Sequence, residues 1–411
     1  MADVIPELPV LAEDNSMLSR KFGREVANYF SGSPLNRMSF LRTDYAFLHA
    51  AFAHPSALFL LMNNLSPLAK DAATLSYVTR DVIAPLTGEE PFKKSEPEQV
   101  KEFNSSVSKA VILFLGIDEK KPEFEYREYR GKPYFAVDVT SKGNEYFQTR
   151  AKTVAETVKA SGESFIDGRR LLSLNAPEAA IYAEARALLD WNNRNPFCGA
   201  CGKATMSINA GWKRVCPPTD AANTIGPNSP VTQRPDCPTR HGISNLSFPR
   251  TDPTVIMAIV SADGTKLLLG RNKRFPPNWY STLAGFLEPG ESIEEAVRRE
   301  TWEESGVTVG RVVIHSSQPW PYPANLMIGA IGQAVPGAET IHLGHDEELT
   351  DAQWFSFDAV REGIANGVSG LGDPAPASYK EGGLRLPPQT AIANQLIQAV
   401  LKGYLDLVPK I

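Results

Sequence analysis

All four cysteines of this 411-residue chain lie between positions 198 and 237, and no other feature constrains its fold as much. Cys198-Gly-Ala-Cys201 is a C-x2-C knuckle, followed by Cys216 after 14 residues and Cys237 after a further 20. Zinc takes four ligands at the corners of a tetrahedron, and such a knuckle supplies two neighbouring thiolates. Gly199 and Gly202 relieve the crowding of that turn. Four protein ligands leave no open position for water, so the expected Zn2+ is structural, held by Cys198, Cys201, Cys216 and Cys237. His241 stands close enough in sequence to replace Cys237. Unrelated reduced thiols, or disulfides in a chain with an intracellular character, explain the clustering less well. The segment between Cys216 and Cys237 holds five prolines and is polar, which reads as a loop inserted between the last two ligands.

The remaining composition removes whole classes. Hydrophobic residues make up 42% and charged residues 22% of the chain, which is a globular balance and excludes a disordered or fibrous one. A net charge of -5 argues against a bulk electrostatic nucleic-acid binder, so any nucleic acid is held locally. The longest apolar runs, Ala110–Ile117 and Val255–Val260, fall short of the roughly 18 residues of a bilayer span. The start, Met-Ala-Asp-Val-Ile-Pro-Glu, lacks the basic and apolar regions of a secretion signal. The expectation is a cytoplasmic or peroxisomal protein, not secreted and without a transmembrane segment. Pro409-Lys-Ile411 echoes the S-K-L peroxisomal address only poorly.

Three regions separate by texture: 1–190, 191–247 and 248–411. In the first, Leu58–Met62 and Val111–Leu115 suit either buried strands or helix segments, because periodicity does not arbitrate such short runs. Tyr134–Val139 alternates as a strand does, and Ala176–Leu189 carries a helical stripe. This half shows no catalytic constellation and no internal repeat is visible, so it reads as scaffold. The last region mixes strands (Thr254–Val260, Lys266–Leu269, Val312–Ile314, Leu326–Ile331, Trp354–Phe357) with helices at Glu291–Ser305 and Gln389–Leu401. The expected fold class is α+β.

The helix at 291–305 carries the chemistry. Ile293, Ala296 and Val297 define its inward face, and seven residues further along the same face come Glu300, Glu303 and Glu304. Three like charges repel, and they sit badly at a helix C-terminus, where the dipole favours cations. A divalent cation removes that cost. Clustered hard oxygens suit Mg2+ or Mn2+, which commonly bridge carboxylates to substrate phosphates.

Gly285, five residues, Glu291, seven residues, Arg299-Glu300, then Glu303-Glu304 and Gly306 resemble the Nudix box. Thr301 stands where that box usually has an aliphatic residue. The resemblance implies a Nudix α/β/α sandwich that hydrolyses a nucleoside diphosphate linked to another moiety. It implies further that Glu300 and Glu304 bind the metal with the Ala284 carbonyl, that Glu303 assists, and that Arg299 orients the glutamates. Glu348, in an E-L-x-x-A-x-W context, matches the acidic residue that the family adds from outside the box.

Ser317-Gln-Pro-Trp-Pro-Tyr-Pro-Ala-Asn325 follows downstream. Its alternate prolines stiffen the chain and are expected to hold Gln318 and Trp320 outward, as a rigid edge for a planar ring. The segment resembles the S-Q-P-W-P-F-P-x-S array of the NADH pyrophosphatase branch, with Tyr322 for Phe and Asn325 for Ser. That branch carries a zinc ribbon before its Nudix domain and a degenerate Nudix-like domain before the ribbon. The long insertion looks like the fungal or other eukaryotic members. By this resemblance Phe248 stacks on a base, Ala393 lines the nucleotide pocket, and Gln318, Pro319, Trp320, Pro321, Tyr322, Pro323 and Asn325 contact substrate. It also implies a homodimer.

The function this implies is Mg2+- or Mn2+-dependent cleavage of the pyrophosphate of NADH or NAD+, and of NAD caps on RNA 5′ ends. A broader nucleoside-diphosphate hydrolase needs only the glutamates and leaves the Pro-Trp-Pro array unexplained. A nucleotide-sensing scaffold without turnover leaves the complete glutamate face unexplained.

Overall fold

Successive apolar strands with helices between them build two mixed sheets. The computed structural model describes residues 6–9, 16–17, 25–166, 172–222, 231–345 and 347–403. The chain divides into two compact units, one of residues 33–250 with 321–324, the other of 251–320 with 325–403 and the described part of 5–32. The cysteine region groups with the first unit, and residues 25–32 with the second. The terminal tripeptide 409–411 lies outside the described residues.

The first unit runs α1 (Tyr45–Ala53), β1 (Leu58–Asn63), β2 (Ser66–Ala69), β3 (Tyr77–Val78), α2 (Arg80–Thr87), α3 (Glu96–Lys101), β4 (Ile112–Asp118), β5 (Phe124–Tyr126), β6 (Tyr129–Asp138), α4 (Glu145–Ala160), β7 (Ser164–Phe165) and α5 (Ala176–Arg194). The sheet order is β4-β6-β1-β2-β7, with β1 and β6 parallel. Both ambiguous runs, at 58–62 and 111–115, are therefore strands. Four side chains from three strands and a helix show why. Phe52, Phe59, Phe114 and Phe135 are all buried, and their rings meet at 5.1 to 5.6 Å. Each buried aromatic side chain contributes about 1.5–3 kcal/mol. Asp44 caps α1 by accepting from the Ala46 and Phe47 amides, and Asn175 caps α5 by accepting from Glu178. The cysteine region adds the short pairs β8 (Met206–Ile208) with β9 (Lys213–Val215), and β10 (Thr219–Asp220) with β11 (Thr232–Gln233).

The second unit runs β12 (Asp252–Val260), β13 (Lys266–Asn272), β14 (Leu283–Phe286), α6 (Ile293–Ser305), β15 (Val309–Trp320), β16 (Asn325–Ala334), β17 (Leu349–Ser356), α7 (Phe357–Asn366) and α8 (Ile392–Leu401). Its sheet order is β15-β16-β12-β13-β17, with β14 paired to β12. The period of two along β12 separates two cores. Ile256, Ala258 and Val260 pack with Ile392, Leu396 and Ile397 of α8, whereas Val255, Met257 and Ile259 pack with Ala296 and Val297 of α6. Helices cover both faces, so β12 is a continuous apolar run rather than an alternating one. This is the expected α/β/α sandwich.

The two sheets repeat one plan. In each, the first strand (β1, β12) pairs parallel with a later one (β6, β16), which pairs antiparallel with its hairpin partner (β4, β15). β3 and β14 hold equivalent places. The sequence shows no such repeat, because topology survives where side-chain identity does not. α2 follows β3 as α6 follows β14, yet it reads Arg-Asp-Val-Ile-Ala-Pro-Leu-Thr, with a proline inside and a single carboxylate. The first half therefore lacks, in this helix, the carboxylate face that α6 carries.

Candidate active site

Helix α6 starts on a capping box: the Ser292 hydroxyl accepts from the Glu295 amide, and the Glu295 carboxylate accepts from the Ser292 amide at 2.7 Å. It ends at Gly306, whose φ of 74° is the left-handed cap that glycine tolerates. Ala296 and Val297 are buried. The hydroxyl of Thr301 costs nothing in this core, because it donates to the Val297 carbonyl at 2.7 Å. Glu304, on the same face, is buried.

Arg299 is the hub of the carboxylates. Its guanidinium donates to both oxygens of Glu291 (2.6 and 2.9 Å), to Glu300 (2.8 Å), to Glu303 (2.9 Å) and to the Phe286 carbonyl (2.8 Å). The bidentate bond holds Glu291 down at about 2, so this pair stabilises the loop above the ordinary glutamate range and is lost as pH falls. Glu300 moves the other way. Burial raises it, the Arg299 bond partly offsets that, and the charges of Glu303 and Glu348 raise it again. Glu348, just before β17, is therefore felt at Glu300 although it lies outside the helix.

Gly285 explains how the strand and helix fit. A Cβ there would fall within the Glu300 carboxylate, so Glu300 lies directly against the β14 backbone. Ala284 is the neighbouring residue, in register with Ile256 of β12. Glu300, Glu303, Glu304 and Glu348 and the Ala284 carbonyl are hard oxygens of the kind that Mg2+ or Mn2+ takes, although among the described residues the carboxylates are not gathered into a ready-made metal group. Their mutual repulsion at Glu300 is the charge imbalance that such an ion corrects. The structure holds Glu300 and Glu303 on Arg299; among the described residues, the only ready-made convergence of metal ligands is that of the cysteines.

The Sγ atoms of Cys198, Cys201, Cys216 and Cys237 all lie within 4.8 Å of one another. The knuckle closes through Cys198 N–H to the Lys203 carbonyl (2.7 Å) and Gly202 N–H to the Cys198 carbonyl (2.8 Å). Burial opposes a charged Cys198 sulfur, but the Thr239 hydroxyl and the Ala200 and Cys201 amides outweigh it and bring the thiol down to about 6. Burial and its thiolate neighbours push Cys216 up. Four such sulfurs ionise together only around a cation, which fits zinc. His241 is exposed and engaged by Asp236 at 2.7 Å, and it is the Cys237 sulfur that joins the other three.

The Pro-Trp-Pro segment begins inside a strand, since β15 continues through Pro319 to Trp320. β15 is the edge of its sheet, where a proline leaves no ladder bond unmade. Gln318, however, does not point outward as expected. It is 1% exposed, donates to the Tyr29 and Thr390 carbonyls (3.0 and 2.8 Å) and accepts from the Ile392 amide (3.0 Å). It ties β15 to the start of α8, which carries the buried Ala393. Trp320 meets Phe30 edge-on at 5.9 Å. Asn325 donates to the Thr254 hydroxyl at 3.0 Å. Pro321, Tyr322 and Pro323 belong to the first unit, where Arg186 lies 4.6 Å above the Tyr322 ring. Phe248 is also in that unit and is 40% exposed. Tyr29 and Phe30 carried no signal in the sequence, since a single aromatic pair in a polar segment has no period. Glu291 and Gly285 lay within the motif, but only the geometry gives their roles.

A parallel-centred sheet between helices, with a glutamate helix entered from β14, defines a Nudix domain, and the NUDIX domain family model matches residues 250–371. The NADH pyrophosphatase-like rudimentary NUDIX domain matches residues 56–191, and the NADH pyrophosphatase zinc ribbon domain matches 193–222, ending before Cys237. The NAD-capped RNA hydrolase of Schizosaccharomyces pombe is 37% identical over 382 residues, covering 91% of this chain and 92% of that protein. NAD-capped RNA hydrolase NPY1 of Saccharomyces cerevisiae is 33% identical, covering 93% and 97%. NAD-capped RNA hydrolase NUDT12 of Homo sapiens is 34% identical, covering 91% and 73%. The chain belongs to the Nudix hydrolases, within the group of NADH pyrophosphatases and NAD-capped RNA hydrolases. Among the described residues, no helix is long and apolar enough to cross a membrane.

Proposed function

We propose that this enzyme hydrolyses the pyrophosphate bond of NADH and NAD+, releasing a nicotinamide mononucleotide and AMP, and removes NAD caps from RNA 5′ ends by cleaving the same bond. The observation that carries the reading is the Arg299-centred carboxylate cluster at the end of α6, packed against Gly285. Glu300, Glu304, Glu348 and the Ala284 carbonyl would hold Mg2+ or Mn2+, with Glu303 assisting. When bound, the metal polarises the phosphoryl oxygens and lowers the pKa of the attacking water. Arg299 fixes the Glu300 and Glu303 rotamers before substrate arrives, which removes an ordering cost from the reaction. Trp320 is the proposed ring contact of the second unit, with Pro319, Asn325 and Ala393 as further proposed contacts and Gln318 positioning the β15 edge. Zn2+ on the four cysteines is structural, and the assembly is a homodimer.

The test is product identification after incubation with NADH, ADP-ribose, a dinucleoside polyphosphate and NAD-capped RNA in Mg2+ or Mn2+. Reduced nicotinamide mononucleotide with AMP, and 5′-monophosphate RNA, are the expected products. Turnover of ADP-ribose in preference to every NAD-containing substrate would move the assignment to the broader nucleoside-diphosphate class.

A further inference from the structure

The first unit holds a cavity of about 400 Å3 that the hydrolase reading does not use. It lies among α1, the segment after α3, β4 and the β8-β9 hairpin, all within that unit. Its size falls in the roughly 300–1,000 Å3 range of small-molecule sites. Three observations give it a chemical preference. Tyr45, Phe92 and Phe103 supply aromatic walls. The lining contains Lys109 and Arg214 and no Asp or Glu. Arg214 is 9% exposed and bonds only neutral groups, Thr205 Oγ1 at 2.7 Å, the Thr205 carbonyl at 3.1 Å, Asn192 Oδ1 at 3.1 Å and the Asn192 carbonyl at 3.4 Å. Among the described residues it has no carboxylate partner, so its charge is buried without a counter-ion, an arrangement that favours an anion.

The third observation is Asn209. It is 6% exposed, lines the cavity, and its Oδ1 has no hydrogen-bond partner, whereas its backbone N–H donates to the Tyr45 hydroxyl at 3.2 Å. A buried acceptor without a donor costs about 1–3 kcal/mol, and a ligand N–H recovers that. Aromatic walls, an orphan acceptor and two cations together match a planar amino-bearing base joined to an anion.

We propose that this cavity is a second nucleotide site, taking a nucleoside monophosphate whose base amino group meets Asn209, whose ring lies on the aromatic walls and whose phosphate meets Arg214 and Lys109. The site is independent of the hydrolysis proposed for the other unit. Every group involved belongs to the unit whose equivalent of α6 lacks the glutamates, so the ligand is bound there and not cleaved.

Photolabelling of the full-length, zinc-loaded protein with 8-azidoadenosine 5′-monophosphate, followed by peptide mapping, tests this. Label is expected within residues 99–112 or 204–214, with protection by AMP and weaker protection by adenosine or inorganic phosphate alone. Ser207→Trp, which fills the cavity from β8, should abolish that label. Lys109→Glu, at an exposed position, should weaken protection by about tenfold or more, the value of one charge-assisted contact. Both variants should hydrolyse NADH as the wild type does. Label confined to the second unit, or label at the cavity unchanged by Lys109→Glu, overturns the proposal; that variant alone decides it if Ser207→Trp does not fold.

Discussion

Gly285→Ala isolates the geometry of the proposed metal face from its chemistry, because no carboxylate is removed. The new Cβ would overlap the Glu300 carboxylate, and van der Waals contact resumes only near 3.4 Å, so that group must retreat by about 1 Å or more. The retreat breaks or lengthens the 2.8 Å bond from Arg299 to Glu300. A misplacement of about 1 Å in a reacting assembly costs about 10²-fold in rate. The backbone does not object: Gly285 sits in β14 with a φ outside the left-handed region, and alanine there narrows the unfolded ensemble. The expected variant therefore melts near the wild-type temperature, binds Mn2+ more weakly, and loses about two orders of magnitude in kcat/KM for NADH. The assay is NADH hydrolysis against Mn2+ concentration, alongside thermal melts. Gly264→Ala, where a Cβ meets nothing within 4 Å but φ is +74°, is the control that strains the backbone and should leave turnover intact. Wild-type kcat/KM in Gly285→Ala would refute the packing of Glu300 against β14 as a catalytic requirement.

Three further outcomes follow from the same structure. Gln318→Leu leaves two buried carbonyls and one buried amide without partners, at about 1–3 kcal/mol each, so a melting temperature lowered well beyond that of an ordinary surface change is expected; an unchanged melt with a raised KM would instead make Gln318 a substrate contact. Cys237→Ser should lower bound zinc, read by metal analysis of the purified protein, while His241→Ala should retain about one zinc per chain; the reverse pattern would return the fourth position to histidine. Because Glu300 is raised, above all by burial, it takes up a proton at higher pH than an ordinary glutamate, and Mn2+ affinity should fall at correspondingly higher pH as the solution is acidified. Glu348→Gln removes one of the charges that raise it, so titration calorimetry should find that acid limb moved to lower pH.

The repeated sheet plan gives the architecture an economy that function then divides. One copy keeps the glutamate helix on the β14 side of the sheet; the other places a short proline-containing helix in the equivalent position. The zinc-ribbon match stops at residue 222, before Cys237, yet Cys237 Sγ lies 3.6 Å from Cys198 Sγ. A fold tolerates a long excursion between ligands when both ends of the excursion return to one metal site, since loop closure cost grows only slowly with length.

The sequence by itself determined the carboxylate helix and the four-cysteine cluster. Both rest on local spacing: a seven-residue return to one helix face and a C-x2-C turn. It also carried the apolar run of β12, although not the reason for it, because a run buried on both faces has no period to read. Tertiary structure decided the rest. Gln318 belongs to the core because the Tyr29 and Thr390 carbonyls and the Ile392 amide converge on it from distant segments, where no spacing rule applies. Cys237 rather than His241 completes the cysteine cluster because the fold brings its sulfur within 4.8 Å of the other three, while the imidazole stays exposed beside Asp236. Gly285 must stay glycine because a carboxylate fifteen residues later occupies the volume its side chain would need.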